Sequence, residues 1–399
     1  IMAGGYDVDY ISDSFIKSTS CQDGMLKTRG GACYKALIVP AVKLIPVSTL
    51  KKLVALARQG ATVVFVEHYP EDVPGYASLK QNREQLFALL EQLPGEKSFR
   101  GTQAFNFGKG RIIVGSDYHE TLERTGVPAE ELKTRWGVQF IRRTHTEGHH
   151  YFISDLQAND VEGWVTLNVP EKHIMCFDPM TGKRGIAKTR EVEGKTQVYM
   201  QLKSGESIIL QTFTRSLQGE PEWKYRKEMD YSLSLDHGWK LRFVESYPAI
   251  EGEFKIDTPS SWTEVAHPAA KINRGTALYS LELDLPELSA DDWVLDLGDV
   301  RESARVRING QEAGIAWAAL FRLSIGQLLK SGKNLIEVEV TNLPANSIAE
   351  MDRQGKQWRI FEDINMAKLN YEKGTYGHWE TLPSGLNGIV RLIPVKYLF

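Results

Sequence analysis

Cysteine is scarce in this chain. Cys21, Cys33 and Cys176 are too few and too scattered across 399 residues for a disulfide framework or a zinc site. The spacing leaves room for one Cys21–Cys33 bridge in an exported protein, but separate thiols fit the scatter better. No apolar run approaches the roughly 20 residues that span a bilayer. No basic block stands out and the formal net charge is −3, which removes the electrostatic case for nucleic acid as a partner. No signal-peptide pattern opens the chain. Ile1-Met2-Ala3-Gly4-Gly5 reads instead as a helix end with its glycine stop, followed by a strand over 6–11. The chain is therefore expected to begin inside a larger fold with an incomplete first domain, so a missing targeting signal carries no weight.

Familiar chemical signatures are missing too. Gly31-Ala32-Cys33-Tyr34-Lys35 has the first glycine of a nucleophile elbow but lysine in place of the second, and it precedes a strand where an elbow follows one. Gly108-Lys109-Gly110 is followed by arginine where a phosphate loop needs a Ser/Thr-bearing helix, so it reads as a tight turn. No dinucleotide fingerprint follows the first strands. His145, His149 and His150 flank a hairpin at Glu147-Gly148, and neighbours on a strand point to opposite faces, so these three do not converge on a metal. Carboxylate pairs such as Glu362-Asp363, Asp291-Asp292 and Asp7/Asp9 are what 51 acidic residues produce by chance. The expectation is no catalytic residue, no metal ligand and no cofactor.

What is present falls into three regions. Residues 1–136 alternate buried strands (34–40, YKALIVP; 62–67, TVVFVE; 103–107; 111–114) with helices. One helix is capped by Ser48, carries Leu50, Leu53, Val54 and Ala57 on one face and stops at Gly60. A second covers about 81–93, and two short ones lie near 118–124 and 129–135. Apolar strands separated by amphipathic helices imply a parallel sheet with helices on its faces, of flavodoxin- or amidotransferase-like type. Residues 137–215 carry short strands at 138–143, 150–154, 163–168, 173–177, 196–202 and 207–212 between turn signals, a small β-sandwich. A polar linker over 216–229 leads to a third β region. Its strands lie at 278–283, 293–297, 304–309 and 335–341, and Asn309-Gly310 is a hairpin signal, so 216–399 reads as linker plus jelly roll.

Aromatic residues crowd the last 50 positions: Trp358, Phe361, Tyr371, Tyr376 and Trp379, with His378. They share little strand pattern and are expected on long loops, where binding residues concentrate. Asn342, Asn346, Asp352, Arg353 and Asp363 stand among them. Aromatic rings stack on the C–H face of a pyranose, while amide, carboxylate and guanidinium groups bond its hydroxyls. Loops that pack their own aromatics to stay ordered would look the same.

The segment Gly5-Tyr6-Asp7-Val8-Asp9-Tyr10-Ile11-Ser12-Asp13 resembles the entry to the α/β domain of glycoside hydrolase family 106, the α-L-rhamnosidases. Tyr34-Lys35-Ala36-Leu37-Ile38-Val39-Pro40 and Pro70-Glu71-Asp72-Val73-Pro74-Gly75 continue the resemblance. The third region resembles the galactose-binding-like jelly roll shared with family 2 glycosidases, through Leu295-Asp296-Leu297-Gly298-Asp299-Val300, Val306-Arg307-Ile308-Asn309-Gly310 and Pro383-Ser384-Gly385-Leu386-Asn387-Gly388-Ile389-Val390. The resemblance implies a catalytic (β/α)₈ barrel upstream in the same polypeptide, holding the acid and base carboxylates. This chain would then be a non-catalytic C-terminal portion that supports the enzyme and contacts a rhamnose-containing plant or complex polysaccharide. It implies a bacterial location outside the cytoplasm: secreted, periplasmic or on the cell surface. A stand-alone carbohydrate-binding or scaffold protein is the alternative. In family 2 enzymes the loop before the final Ser-Gly motif can reach toward the sugar. The matching loop is about 374–383, and with its surroundings it makes Trp358, Asp363, Tyr376, Trp379, Glu380 and Asn346 the candidate carbohydrate-binding residues.

Overall fold

The computed structural model describes residues 1–95, 101–286, 289–360 and 374–399. Contacts divide the chain into two compact units, Ile1–Cys176 with Ile186–Gly219, and Phe177–Gly185 with Glu220–Phe399. Strands dominate, with few helices.

After a small antiparallel sheet of Ser20–Gln22, Met25–Lys27 and Cys33–Tyr34, the first unit contains the expected parallel sheet, in the order Ala36–Val39, Thr62–Val66, Gly110–Gly115 and Gln103–Phe107. Its first three strands run parallel and the last is antiparallel. Thr62–Val66 is buried along its whole length, as a central strand covered on both faces must be. The helix Val47–Gln59 lays Leu50, Leu53, Val54 and Ala57 into this core. Its N-terminus differs from expectation. The Pro46 carbonyl accepts from Thr49 N and Leu50 N at 2.9 and 3.1 Å, so the helix starts before Ser48 can cap it. The turn Gly108-Lys109-Gly110 presses on the end of this helix. A Cβ at Gly110 would lie 2.3 Å from the Ala61 carbonyl oxygen and 2.4 Å from that of Ala57, which is why only glycine fits.

One strand expected here does not form. After the 3₁₀ turn Met2–Gly4 and its left-handed stop at Gly5, residues 6–11 run without a ladder. The alternating pattern misleads because its acidic side chains take over the hydrogen bonding. Asp7 accepts from Arg142 N at 3.0 Å, and Asp9 accepts from the Tyr34 hydroxyl at 2.5 Å.

The rest of the first unit is antiparallel. One sheet contains His173–Phe177, Ser207–Phe213, Gly148–Ser154 and Gln139–His145 in that order; another contains Val161–Leu167, Lys195–Leu202 and Thr189–Val192. Thr189–Val192 had no signal in the sequence, being exposed along most of its length. Glu130 braces these strands from beneath. Its buried carboxylate takes hydrogen bonds from Arg142 at 2.6 Å, the Tyr151 hydroxyl at 2.8 Å and Asn168 N at 3.0 Å.

The second unit is built from two antiparallel sheets around one core. The larger has the order Glu253–Ile256, Trp239–Tyr247, Arg274–Leu285, Gly332–Thr341, Ser303–Ile308 and Gln311–Ala316. The other contains Tyr225–Glu228, Arg391–Leu398, Asp292–Asp296 and Arg322–Ser324. Trp239, Leu241, Tyr279, Val306 and Val338 of the first share a hydrophobic cluster with Trp293, Leu295 and Leu392 of the second. Asn309 and Gly310 take φ of 53° and 78°, the hairpin geometry their sequence implied. One expectation is corrected: the polar stretch 216–229 is linker only in its first part, because Tyr225–Glu228 pairs with Arg391–Leu398. On either side of the C-terminal aromatics the sequence also left unread the helix Ala345–Arg353 and the strand Arg391–Leu398, the latter's pattern obscured by Pro394. Trp358, Tyr376 and Trp379 themselves lie outside helices and strands, as expected.

Candidate carbohydrate-binding site

The helix Ala345–Arg353 sets up the aromatic cluster. Asn346 on its inner side is buried, and its amide bonds the backbone of Leu382 both ways, Nδ2 to the carbonyl and Oδ1 from the N–H, each at 2.8 Å. Just beyond, Ser384 N donates to Ser261 Oγ at 2.9 Å, Ser261 Oγ donates back to the Ser384 carbonyl at 3.1 Å, and Asn342 Nδ2 donates to Ser384 Oγ at 3.1 Å. Gly385, at φ +99°, packs so tightly that a Cβ would lie 2.1 Å from the Tyr279 hydroxyl. Gly385–Leu386 then pairs with Val300–Arg301. The Pro-Ser-Gly motif is thus a clasp that closes the fold. Asn346 belongs to this clasp, and its polar atoms are already committed to Leu382.

At the outer end of the helix, Asp352 and Arg353 hold the Trp358 ring and the backbone that carries Tyr376 and Trp379. Asp352 accepts from Trp358 Nε1 and from Tyr376 N, both at 2.5 Å. Arg353 donates to the carbonyls of Gly377 at 2.9 Å and Trp379 at 3.1 Å, and pairs with Glu350 at 2.7 Å. The Arg353 hydrogen bond, reinforced by Gln354, holds the Glu350 carboxyl below the usual range. Trp358 and Tyr376 approach at 5.9 Å between ring centroids, and Tyr376 and Trp379 at 4.5 Å. Arg359 lies 5.1 Å from the centres of both Trp358 and Tyr376. Trp379 keeps 39% of its surface exposed, and Glu380 beside it is exposed.

Of the six candidates, Trp358, Tyr376 and Trp379 come together, with Glu380 at their border. Asn346 serves the clasp, and Asp363 lies outside the described residues. Arg359 was missed: an arginine next to a tryptophan carries no pattern until Tyr376 folds back onto it. The cluster offers aromatic faces beside a guanidinium, an arrangement suited to stacking a ring and bonding its substituents.

The remaining sequence candidates are accounted for in the structure. The His145 and His150 rings lie 4.5 Å apart, tilted by 42°, while His149 turns to Glu171, 3.3 Å away, so the three do not converge. Burial, followed by the His145 charge, pushes His150 below its ordinary value. Cys21, Cys33 and Cys176 are all free thiols, and burial pushes that of Cys176 upward. Among the described residues no three His, Cys, Asp or Glu side chains are grouped to hold a metal. No described helix is long and apolar enough to cross a membrane.

Residues 2–189 match the family model of glycoside hydrolase family 106, described as alpha-L-rhamnosidase. The resemblance to family 106 holds. A rhamnosidase from Novosphingobium sp. PP1Y has the same fold over 97% of this chain, with a TM-score of 0.75 and 23% identity, and 36% of that protein is covered. A protein named "Putative beta-glucuronidase" from Formosa agariphila is 29% identical over 197 residues, which is 45% of this chain and 17% of that one. The chain therefore spans well under half the length of either, and its relatives are glycoside hydrolases.

Proposed function

We propose that this chain is the non-catalytic C-terminal portion of an α-L-rhamnosidase-like glycoside hydrolase. In this reading the acid and base carboxylates stand on a (β/α)₈ barrel elsewhere in the same polypeptide. The enzyme works outside the bacterial cytoplasm on rhamnose-containing polysaccharide. The chain's three parts, a flavodoxin- or amidotransferase-like domain over 1–136, a small β-sandwich over 137–215 and a galactose-binding-like jelly roll over 216–399, support that barrel. Trp358, Tyr376, Trp379 and Glu380 contact sugar. The observation that carries the reading is the family-106 match over residues 2–189.

The test is turnover. Residues 1–399 alone are expected to cleave neither an aryl α-L-rhamnoside nor an aryl β-glucuronide, whereas the full natural polypeptide cleaves the rhamnoside. Robust hydrolysis by residues 1–399, abolished by one Asp or Glu substitution within them, overturns the non-catalytic role. Preference of the full polypeptide for the glucuronide moves the substrate toward that named for the Formosa relative. For the sugar contact, Trp379→Ala and Trp358→Ala are compared in the full polypeptide with Tyr76→Ala, a 93% exposed control. A rise in KM in the first two, with folding intact, supports the contact; unchanged kinetics make them packing residues.

A further inference from the structure

The outer face of the three-stranded sheet in the first unit carries a second constellation. Along Val161–Leu167 the inward residues Val161, Val165 and Leu167 are buried, and along Lys195–Leu202 so are Thr196, Val198, Met200 and Leu202. The alternate positions form the other face. Register places Glu162 opposite Gln201, Trp164 opposite Tyr199, and Thr166 opposite Gln197, with Arg190 on the far side of Gln197. One row of side chains therefore crosses three strands, with an aromatic pair at its centre.

These side chains are fixed by one another. Trp164 and Tyr199 meet edge to face at 5.4 Å. Glu162 accepts from the Tyr199 hydroxyl at 2.6 Å and from Gln201 Nε2 at 3.0 Å. Gln197 donates to Thr166 Oγ1 at 3.1 Å and accepts from Arg190 Nε at 2.7 Å. The Arg190 guanidinium lies 4.3 Å from the centre of the Trp164 ring. Burial, and then the bond to Glu162, pushes the Tyr199 hydroxyl up to about 12, so it remains a donor throughout the physiological range. An antiparallel sheet facing water is expected to be polar on that side, and cross-strand pairs alone supply some of these contacts. That expectation covers solvated lysines and glutamates better than a half-buried tryptophan and tyrosine framed by amides, a carboxylate and a guanidinium already oriented. Planar groups of this kind around an aromatic surface match a pyranose, whose C–H face is apolar and whose rim is hydroxyl. Arg190 spends its Nε on Gln197 and keeps further N–H donors, the complement of a carboxylate.

We propose that this sheet face is a second saccharide-binding site, distinct from the Trp358–Trp379 cluster, and that it takes a uronic-acid-bearing segment of a polysaccharide. The pyranose rests against Trp164 and Tyr199, its hydroxyls meet Gln201 and Glu162, and its carboxylate meets Arg190. The choice of a saccharide rests on the reading that the parent protein acts on polysaccharide, but the site shares no residue with that reading.

Affinity electrophoresis of residues 1–399 tests it, with polygalacturonate, the same polymer after carboxyl reduction, and a neutral galactan. Polygalacturonate should retard the wild type, and the reduced polymer should bind at least about 10-fold more weakly. Trp164→Ala and Arg190→Ala should each weaken polygalacturonate binding by about 10-fold or more, the loss typical of a central aromatic or arginine anchor. Trp164→Phe, which keeps a ring, should retain part of the binding and guards against a folding artefact. Trp379→Ala should leave this binding unchanged. No retardation by polygalacturonate, equal binding of the reduced polymer, or wild-type binding by folded Trp164→Ala and Arg190→Ala overturns the proposal. Loss on Trp379→Ala alone assigns the uronate to the loop cluster, overturning this site while leaving the earlier reading intact.

Discussion

Trp164, Tyr199 and Arg190 stand on adjacent strands whose register fixes their spacing, whereas Trp358, Arg359, Tyr376 and Trp379 stand on irregular chain tied to the end of one helix. The two clusters combine the same side-chain types. On the sheet, each ring is placed by a backbone ladder, and the polar groups only refine the arrangement. In the loop cluster, Asp352 and Arg353 do the placing through bonds to a side chain and to three backbone positions, Tyr376 N and the carbonyls of Gly377 and Trp379. A site on a sheet is as rigid as its fold. A site on loops is as rigid as its few anchors, and it can be lost without unfolding anything.

That contrast explains what the sequence revealed. The strand Thr62–Val66 and the buried face of Val47–Gln59 were legible because apolar periodicity reports burial directly. Crowded aromatics near the C-terminus were legible as composition, yet the helix Ala345–Arg353 that precedes them was not. The role of Asn346 was also hidden, since an asparagine that bonds the Leu382 backbone looks the same in sequence as one that bonds a sugar. Residues 6–11 alternate like a strand, but Asp7 and Asp9 replace the ladder with side-chain bonds, a choice made by partners more than 20 positions away. The Trp164 row was invisible for the same reason. Glu-x-Trp-x-Thr and Gln-x-Tyr-x-Gln acquire meaning only when register sets them side by side.

The largest effect is expected from Gly385→Ala, which breaks the support of the loop cluster alone. The new methyl meets the Tyr279 hydroxyl at 2.1 Å and the Trp262 ring at 2.9 Å, at a φ that side chains avoid. Overpacking plus backbone strain should destabilise the second unit by about 3 kcal/mol or more. Hydrogen exchange should show faster exchange in Arg274–Leu285 with little change in Thr62–Val66. The reverse experiment is Glu130→Ala. It leaves Arg142 and the buried Tyr151 hydroxyl without their shared carboxylate, and should cost the first unit about 3 kcal/mol. Exchange should quicken in Gly148–Ser154 while Gly332–Thr341 holds. Equal disturbance of both units by either variant would defeat the separation drawn between them.

Asp352→Ala should have a smaller and strictly local effect. It removes the acceptor for Trp358 Nε1 and Tyr376 N, worth about 1–2 kcal/mol to the ordering of that segment. Limited proteolysis should cut more readily after Arg353 or Arg359, while the thermal midpoint of the whole chain moves little. An unchanged cleavage pattern would mean that the rings order themselves without their anchor.

The smallest effect is one of pH, and it separates a surface ion pair from both clusters. The Arg83 side chain, aided by the Val73 N–H, holds the Asp72 carboxyl well below the usual carboxylate range, at about 2. Arg83 Nε and Nη2 reach its two oxygens at 2.8 and 2.5 Å. A carboxyl lowered on folding adds stability that is present above its unfolded value of about 4 and fades as pH falls toward 2. The Asp72 backbone carbonyl accepts from Ile45 N at 3.0 Å, so the loosening should appear in exchange at Ile45 and Val73 across that window. Carboxyl NMR should place the Asp72 midpoint near 2, and Arg83→Ala should return it toward the ordinary value. Because the pair is largely exposed, salt should blunt the effect, and the ring contacts at Trp164 and Trp379 should not respond. A salt-insensitive midpoint would show that the backbone bond from Val73, and not the arginine, holds the carboxyl down.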